Sequence, residues 1–231
     1  MTAPPRSGGT RRPGAPRGRR TGAGGFSLVE LLIAMVVSIG VLGGAVAIAS
    51  QVQSAYRRQL EAAAAQQEGR NALDWIDRMI RTAGNNPYEV TTTACPVAGT
   101  TVTGIGIDPD GDGVNDDIRL QSDLAPTNGL FGGSAGACTE PNEDVTIAYD
   151  AANQVVTLTD NNLGGGAVTR TDSIVTALQF AYLDSARNPT AVAAAVAFVQ
   201  TSITVQTRTN DPTTNAPVSY TLTSEVRMRA R

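Results

Sequence analysis

Two hydrophobic periods divide this chain. Phe26 to Ala49 is nearly unbroken apolar sequence, and its only polar members are Ser27, Glu30 and Ser38. As a helix this run is about 36 Å long, enough to cross the hydrocarbon core of a bilayer. Gln51 to Arg81 follows without a proline and includes the alanine run Ala62–Ala65. Its apolar residues take helical spacing, with Leu73, Ile76 and Ile80 on one stripe and Trp75 and Met79 beside it. Arg78 and Arg81 in the last turn and Gly84 just beyond form a stop signal. The pattern predicts one helix of about 56 residues and about 84 Å. Its first half is apolar all round and its second half is amphipathic. Gly40 and Gly44 form a small-xxx-small pair that would let another helix approach closely. Together with Gly43 they also weaken the helix. Equally, they read as small residues with no special role.

Past Gly84 the chain turns to Thr, Val, Asn, Asp and Gly, and strands alternate with turn signals. Strands are predicted at 117–122, 144–149, 154–159, 174–183, 198–208 and 219–229. Asp150–Asn153 reads as the turn of one hairpin, 161–166 as a Gly-rich turn, and 210–217 as the turn of a closing hairpin. A short helix is weakly signalled at 188–195. No repeat is present. The fold class is α+β: one head, in which the amphipathic half of the helix packs on an antiparallel sheet.

Charge changes the picture. All 18 basic residues are arginine, against 21 acids, and there is no histidine. Without lysine the chain has no P-loop or Schiff-base lysine, and without histidine no Ser-His or Cys-His pair and no histidine zinc site. Arg6, Arg11, Arg12, Arg17, Arg19 and Arg20 precede the apolar run, and no acid stands among them. Beyond Met1, residues 1–25 contain no large apolar side chain and cannot bury a core. A basic head on an acidic body argues against nucleic-acid binding. It reads as a leader that orients the apolar helix, with the N-terminus cytoplasmic and the body outside.

By physics alone three readings of the apolar run remain open. It could be a plain signal anchor, or a secretory signal with Ala47-Ile48-Ala49 as a small-x-small cleavage site. The third turns on Glu30. A carboxylate in such a run costs about 2.5–3.5 kcal/mol at mid-membrane, less near the interface, although an acid in a first helical turn also favours the helix dipole.

The run Gly25-Phe26-Ser27-Leu28-Val29-Glu30-Leu31-Leu32-Ile33-Ala34-Met35 resembles the class III signal of type IV prepilins. The resemblance implies removal of residues 1–25 by a prepilin peptidase, which cuts between Gly25 and Phe26, and methylation of Phe26. It makes Glu30 the fifth residue of the mature chain, where the family has the glutamate thought to neutralise a neighbouring subunit's terminal amine during assembly. An unpaired charge in a water-poor bundle is costly, so such a pair would select the register of packing. Residues 26–49 become the transmembrane and assembly helix, and 50–231 a pilin-like head. Gln66-Gln67-Glu68-Gly69-Arg70-Asn71-Ala72-Leu73, Ile80–Pro87, Ile174–Asp184 and Glu225-Val226-Arg227-Met228-Arg229 are similar to PilW-like minor pilins and GspJ-like pseudopilins.

The resemblance implies a non-enzymatic filament subunit that initiates or caps a type IV pilus. The alternatives are a GspJ-like minor pseudopilin of a type II secretion system and a membrane-anchored extracellular binding domain that never polymerises. The implied partners are the prepilin peptidase, other pilin subunits, the inner-membrane assembly platform and the membrane itself. The implied location is the bacterial inner membrane and then the filament.

Two features of the segment around 88–140 stand outside the resemblance. Cys95 and Cys138 lie on the outer side by the charge argument, where oxidation to a disulfide is expected. Asp108-Pro109-Asp110-Gly111-Asp112-Gly113-Val114-Asn115-Asp116-Asp117 resembles a calcium loop of the EF-hand or thrombospondin type. Asp108, Asp110 and Asp112 would offer carboxylates, Val114 its carbonyl, and Asp116 an oxygen or a water. Position 12 is Arg119 instead of glutamate, and Asp117 is the acid that could substitute. A solvated acidic turn is the competing reading. A structural calcium ion is the only cofactor the sequence suggests.

Overall fold

The computed structural model describes residues 25–93, 95, 99, 101–124, 130–133, 138–212 and 214–228. The basic leader up to residue 24 and Arg229 lie outside the described residues. One helix, α1, runs Leu28–Thr82, 55 residues. The chain divides into two compact units, Met1–Gln51 and Val52–Arg231. In the first unit every described residue is exposed. Its helix is long and apolar enough to cross a membrane, and none of its most apolar stretch is buried.

In the second unit the rest of α1 lies against two antiparallel sheets. Ala65, Gly69, Ala72, Leu73, Ile76, Asp77 and Ile80 form its buried stripe, and their 3–4 spacing is that of one helix face. Thr82 ends the helix. Gly84 then takes φ 78° and donates its amide to the Gln121 carbonyl at 2.8 Å. Only glycine adopts that backbone readily, so the predicted stop is a real turn-off from the helix axis.

The first sheet is a meander in chain order: β1 Ile105–Ile107, β2 Asp117–Gln121, β3 Asp144–Asp150, β4 Val155–Asp160 and β5 Val168–Thr169. The second comprises β6 Val175–Leu183, β7 Phe198–Asn210 and β8 Pro217–Arg227. Strand β7 buries Val199, Thr201, Ile203, Val205 and Thr207 in strict alternation. In β6 the register shifts between Val175 and Ala177. That bulge moves the inward phase by one residue, so Val175 and Leu178 both point inward. Leu73, Ile76 and Ile80 of α1 join Ile118, Ile147, Phe180, Tyr182 and Ile203 in one core. Full burial of a side chain such as Ile76 or Ile80 stabilises by about 1.5–3 kcal/mol.

The structure corrects three sequence expectations. The head has two sheets where one was expected, because alternation marks the buried face of a strand and says nothing about which edges pair. Strands β1 and β5 were not expected, being too short to show a period. The helix at 188–195 reduces to a single 3-10 turn, Ala193–Ala195, with no buried residue. Asp184 accepts the Ala186 and Asn188 amides, both at 2.8 Å, and so holds a turn where a helix would begin. Pro189 then lies in a β-bridge with Leu183.

Candidate functional site

The acidic loop joins β1 to β2, and its turns are built around its own carboxylates. Asp108 takes φ 46°, with Gly111 and Gly113 at 75° and 86°. Asp108 Oδ1 accepts the amides of Gly111 at 2.9 Å and Asp112 at 3.2 Å, and Oδ2 accepts that of Gly113 at 3.0 Å. Asp110 Oδ1 accepts the Asp112 amide at 3.2 Å, and Asp112 Oδ1 the Val114 amide at 2.7 Å. Such local bonds are what let Asp tolerate a left-handed backbone.

The far end of the loop is held by both sheets. The Asp116 carbonyl accepts the Tyr149 amide of β3 at 3.2 Å, and the Asn115 carbonyl accepts the Phe180 amide of β6 at 2.8 Å. The Tyr182 hydroxyl, also from β6, donates to the Asp117 carbonyl at 3.3 Å. Of the residues expected to ligate, Asp108, Asp110 and Asp117 are brought together. Asp112 and Asp116 lie outside that group, and Asp112 and Val114 are exposed. Asp117 is pushed up to about 6, first by burial and then by the charge of Asp110. Asp116 is also raised, by burial and then by Asp112 and Asp110.

Arg119 is turned to other work. It clamps the fully buried Asp144 with two bonds, Nε to Oδ1 at 2.7 Å and an η-nitrogen to Oδ2 at 2.5 Å. Gln121 at 3.1 Å and Asn161 at 2.8 Å donate to the same carboxylate. The hydrogen bond to Asp144 raises the Arg119 pKa still further. A bidentate pair whose acid is fully enclosed is well placed to fix β2 against β3. This network had no sequence signal, because its members are spread over 119–161 with no common spacing.

Cys95 and Cys138 form a disulfide with Cα atoms 5.5 Å apart. At the other end of the chain Gly25, Phe26 and Ser27 precede the first helical residue, and Phe26 is 81% exposed. Glu30 lies in the first turn of α1, where its charge favours the helix dipole. Sequence reasoning also missed the packing role of Gly69. A Cβ there would run into Leu222 Cδ1 of β8 and approach both methyls of Val205 at 3.4 Å. The visible signal was a glycine on the buried stripe of an otherwise alanine-rich helix.

Comparison with protein-family models, with curated proteins and with solved structures finds no match to this chain.

Proposed function

We propose that this chain is a prepilin-like, non-enzymatic filament subunit of the PilW-like minor-pilin type. What supports the reading above all is the bare apolar first part of α1, introduced by Gly25-Phe26 and carrying Glu30 in its first turn. An apolar helix face with no partner among the described residues needs a membrane, other helices, or each in turn. A prepilin subunit uses both, first as a single-pass membrane protein and then in the filament bundle. In this reading the remainder of α1, packed on antiparallel sheets, is the spine of the head. By the positive-inside rule the arginine-rich leader stays cytoplasmic and the head lies outside, where a disulfide persists.

In this reading a prepilin peptidase removes residues 1–25 and Phe26 becomes the methylated N-terminus. The subunit then helps to start or cap a type IV pilus through contacts of its N-terminal helix with other subunits and the assembly platform. Mass spectrometry of the mature protein tests the assignment. A chain beginning at methylated Phe26 is expected. A chain beginning at Ser50 would point to ordinary signal peptidase and overturn the proposal. Pelleting of the mature chain with sheared surface filaments is the second expected result.

A further inference from the structure

The acidic loop closes over a buried carboxylate. Asp117, the first residue of β2, is 2% exposed. Its Oδ2 accepts the Asp110 amide at 3.2 Å. Its Oδ1 is buried and has no hydrogen-bond partner among the described residues. A desolvated carboxylate oxygen left without a partner is costly. The nearest basic residue in sequence, Arg119, is engaged with Asp144. The groups that do approach Asp117 carry the same sign: Asp108, Asp110 and Asp117 each bring one oxygen within 4.8 Å of the others. Oxygens grouped this closely need only small side-chain rotations to reach one ion at calcium–oxygen bond lengths of about 2.3–2.6 Å.

We infer that Asp108, Asp110 and Asp117 bind a structural calcium ion, with Asp117 as a ligand supplied by the strand. The donor set is hard oxygen only; the chain has no histidine, and its two cysteines are joined. Three carboxylates on a loop with further carbonyls and water suit the six to eight ligands of calcium better than the tight octahedron of magnesium. The ligand set differs from that of an EF-hand. Asp112 and Asp116 stay outside it, and Asp117 supplies the acid that position 119 lacks. Because Asn115, Asp116 and Asp117 are hydrogen-bonded to β3 and β6, the ion stabilises the contact between the two sheets. The inference does not depend on whether the chain joins a filament.

The test is thermal unfolding of the full chain in detergent, with about 1 mM calcium and then with chelator. Calcium is expected to raise Tm by about 3–6 °C if the site's Kd lies tenfold below the calcium added. Asp117→Asn and the surface variant Asp110→Asn should lose the shift, while Asp112→Asn keeps it. Asn at 117 still accepts the Asp110 amide and removes the like-charge repulsion. Its Tm in chelator should therefore stay close to that of the parent chain, which separates loss of the ion from loss of the fold. If Asp117→Asn does not fold, Asp110→Asn carries the same test. Equal melting with calcium and chelator would overturn the inference. So would a shift that survives Asp110→Asn but not Asp112→Asn, and an equal rise with magnesium would overturn the assignment to calcium.

Discussion

Ser224 of β8 donates a hydrogen bond of 2.6 Å to Asp77, 147 residues earlier on the buried stripe of α1. Burial raises the Asp77 pKa, and the Ser224 bond and then Arg81 oppose that rise. A carboxyl whose folded pKa is raised binds its proton more tightly in the folded state. The stability it contributes is present below the ordinary carboxylate range and is lost as pH rises through the folded pKa. Asp77→Asn should therefore stabilise the chain at pH 7 relative to the parent, and the gain should vanish near pH 3. Ser224→Ala should cost about 1.5–3 kcal/mol at pH 7, where the bond is to a charged acceptor, and less in acid. Denaturant titrations of both variants at the two pH values measure this.

Gly69 sets how closely α1 approaches β8. Gly69→Val should destabilise by about 1–3 kcal/mol, since the added carbons must displace Leu222 and press on Val205. The nearest obstacle is the end of a flexible side chain, so Leu222→Ala should recover part of the loss. A double-mutant cycle on melting temperature would show strong coupling between the two positions. Additive effects would mean that the helix shifts along the sheet instead.

The Cys95–Cys138 disulfide closes a long loop, with 43 residues of separation. Its removal by Cys95→Ser and Cys138→Ser together should cost about 4 kcal/mol in the chain-entropy model. Guanidinium unfolding of the double variant against the oxidised parent gives the value. The loss should grow if Cys95, almost fully buried, leaves an unpaired serine hydroxyl in its place.

Glu30 distinguishes assembly from folding. It lies in the unit that ends at Gln51 and is exposed there. Glu30→Ala should leave head melting unchanged. If the neighbour's terminal amine is its partner, removing it breaks an ion pair in a water-poor bundle, at about 3–5 kcal/mol. Recovery of the variant in sheared filaments should then fall more than tenfold. Unchanged recovery would leave Glu30 as an acid that serves only the helix dipole.

The sequence by itself determined where the helix begins and ends, most strand positions and the acidic loop. Each is written in neighbouring residues: the unbroken apolar run from Phe26, the 3–4 stripe through Ile76 and Ile80, the alternation of β7, and Gly84 as the stop. Tertiary structure alone decided the rest. Alternation placed a strand at β6, but only the tertiary structure showed the bulge that shifts its inward phase and separated β6–β8 from the meander before them. Spacing offered all five acids of the loop and the Val114 carbonyl as ligands, whereas the tertiary structure brings together oxygens of only Asp108, Asp110 and Asp117 among those acids. Arg119 looked like a defect in a calcium loop until Asp144, from the next strand, was seen to hold it. Gly69 looked like a weak helix residue until Leu222 closed over it. Local pattern records what each residue prefers from its neighbours in the chain. Pairing, convergence and close approach depend on residues up to 148 positions away, as between Glu61 and Thr209, which no local period encodes.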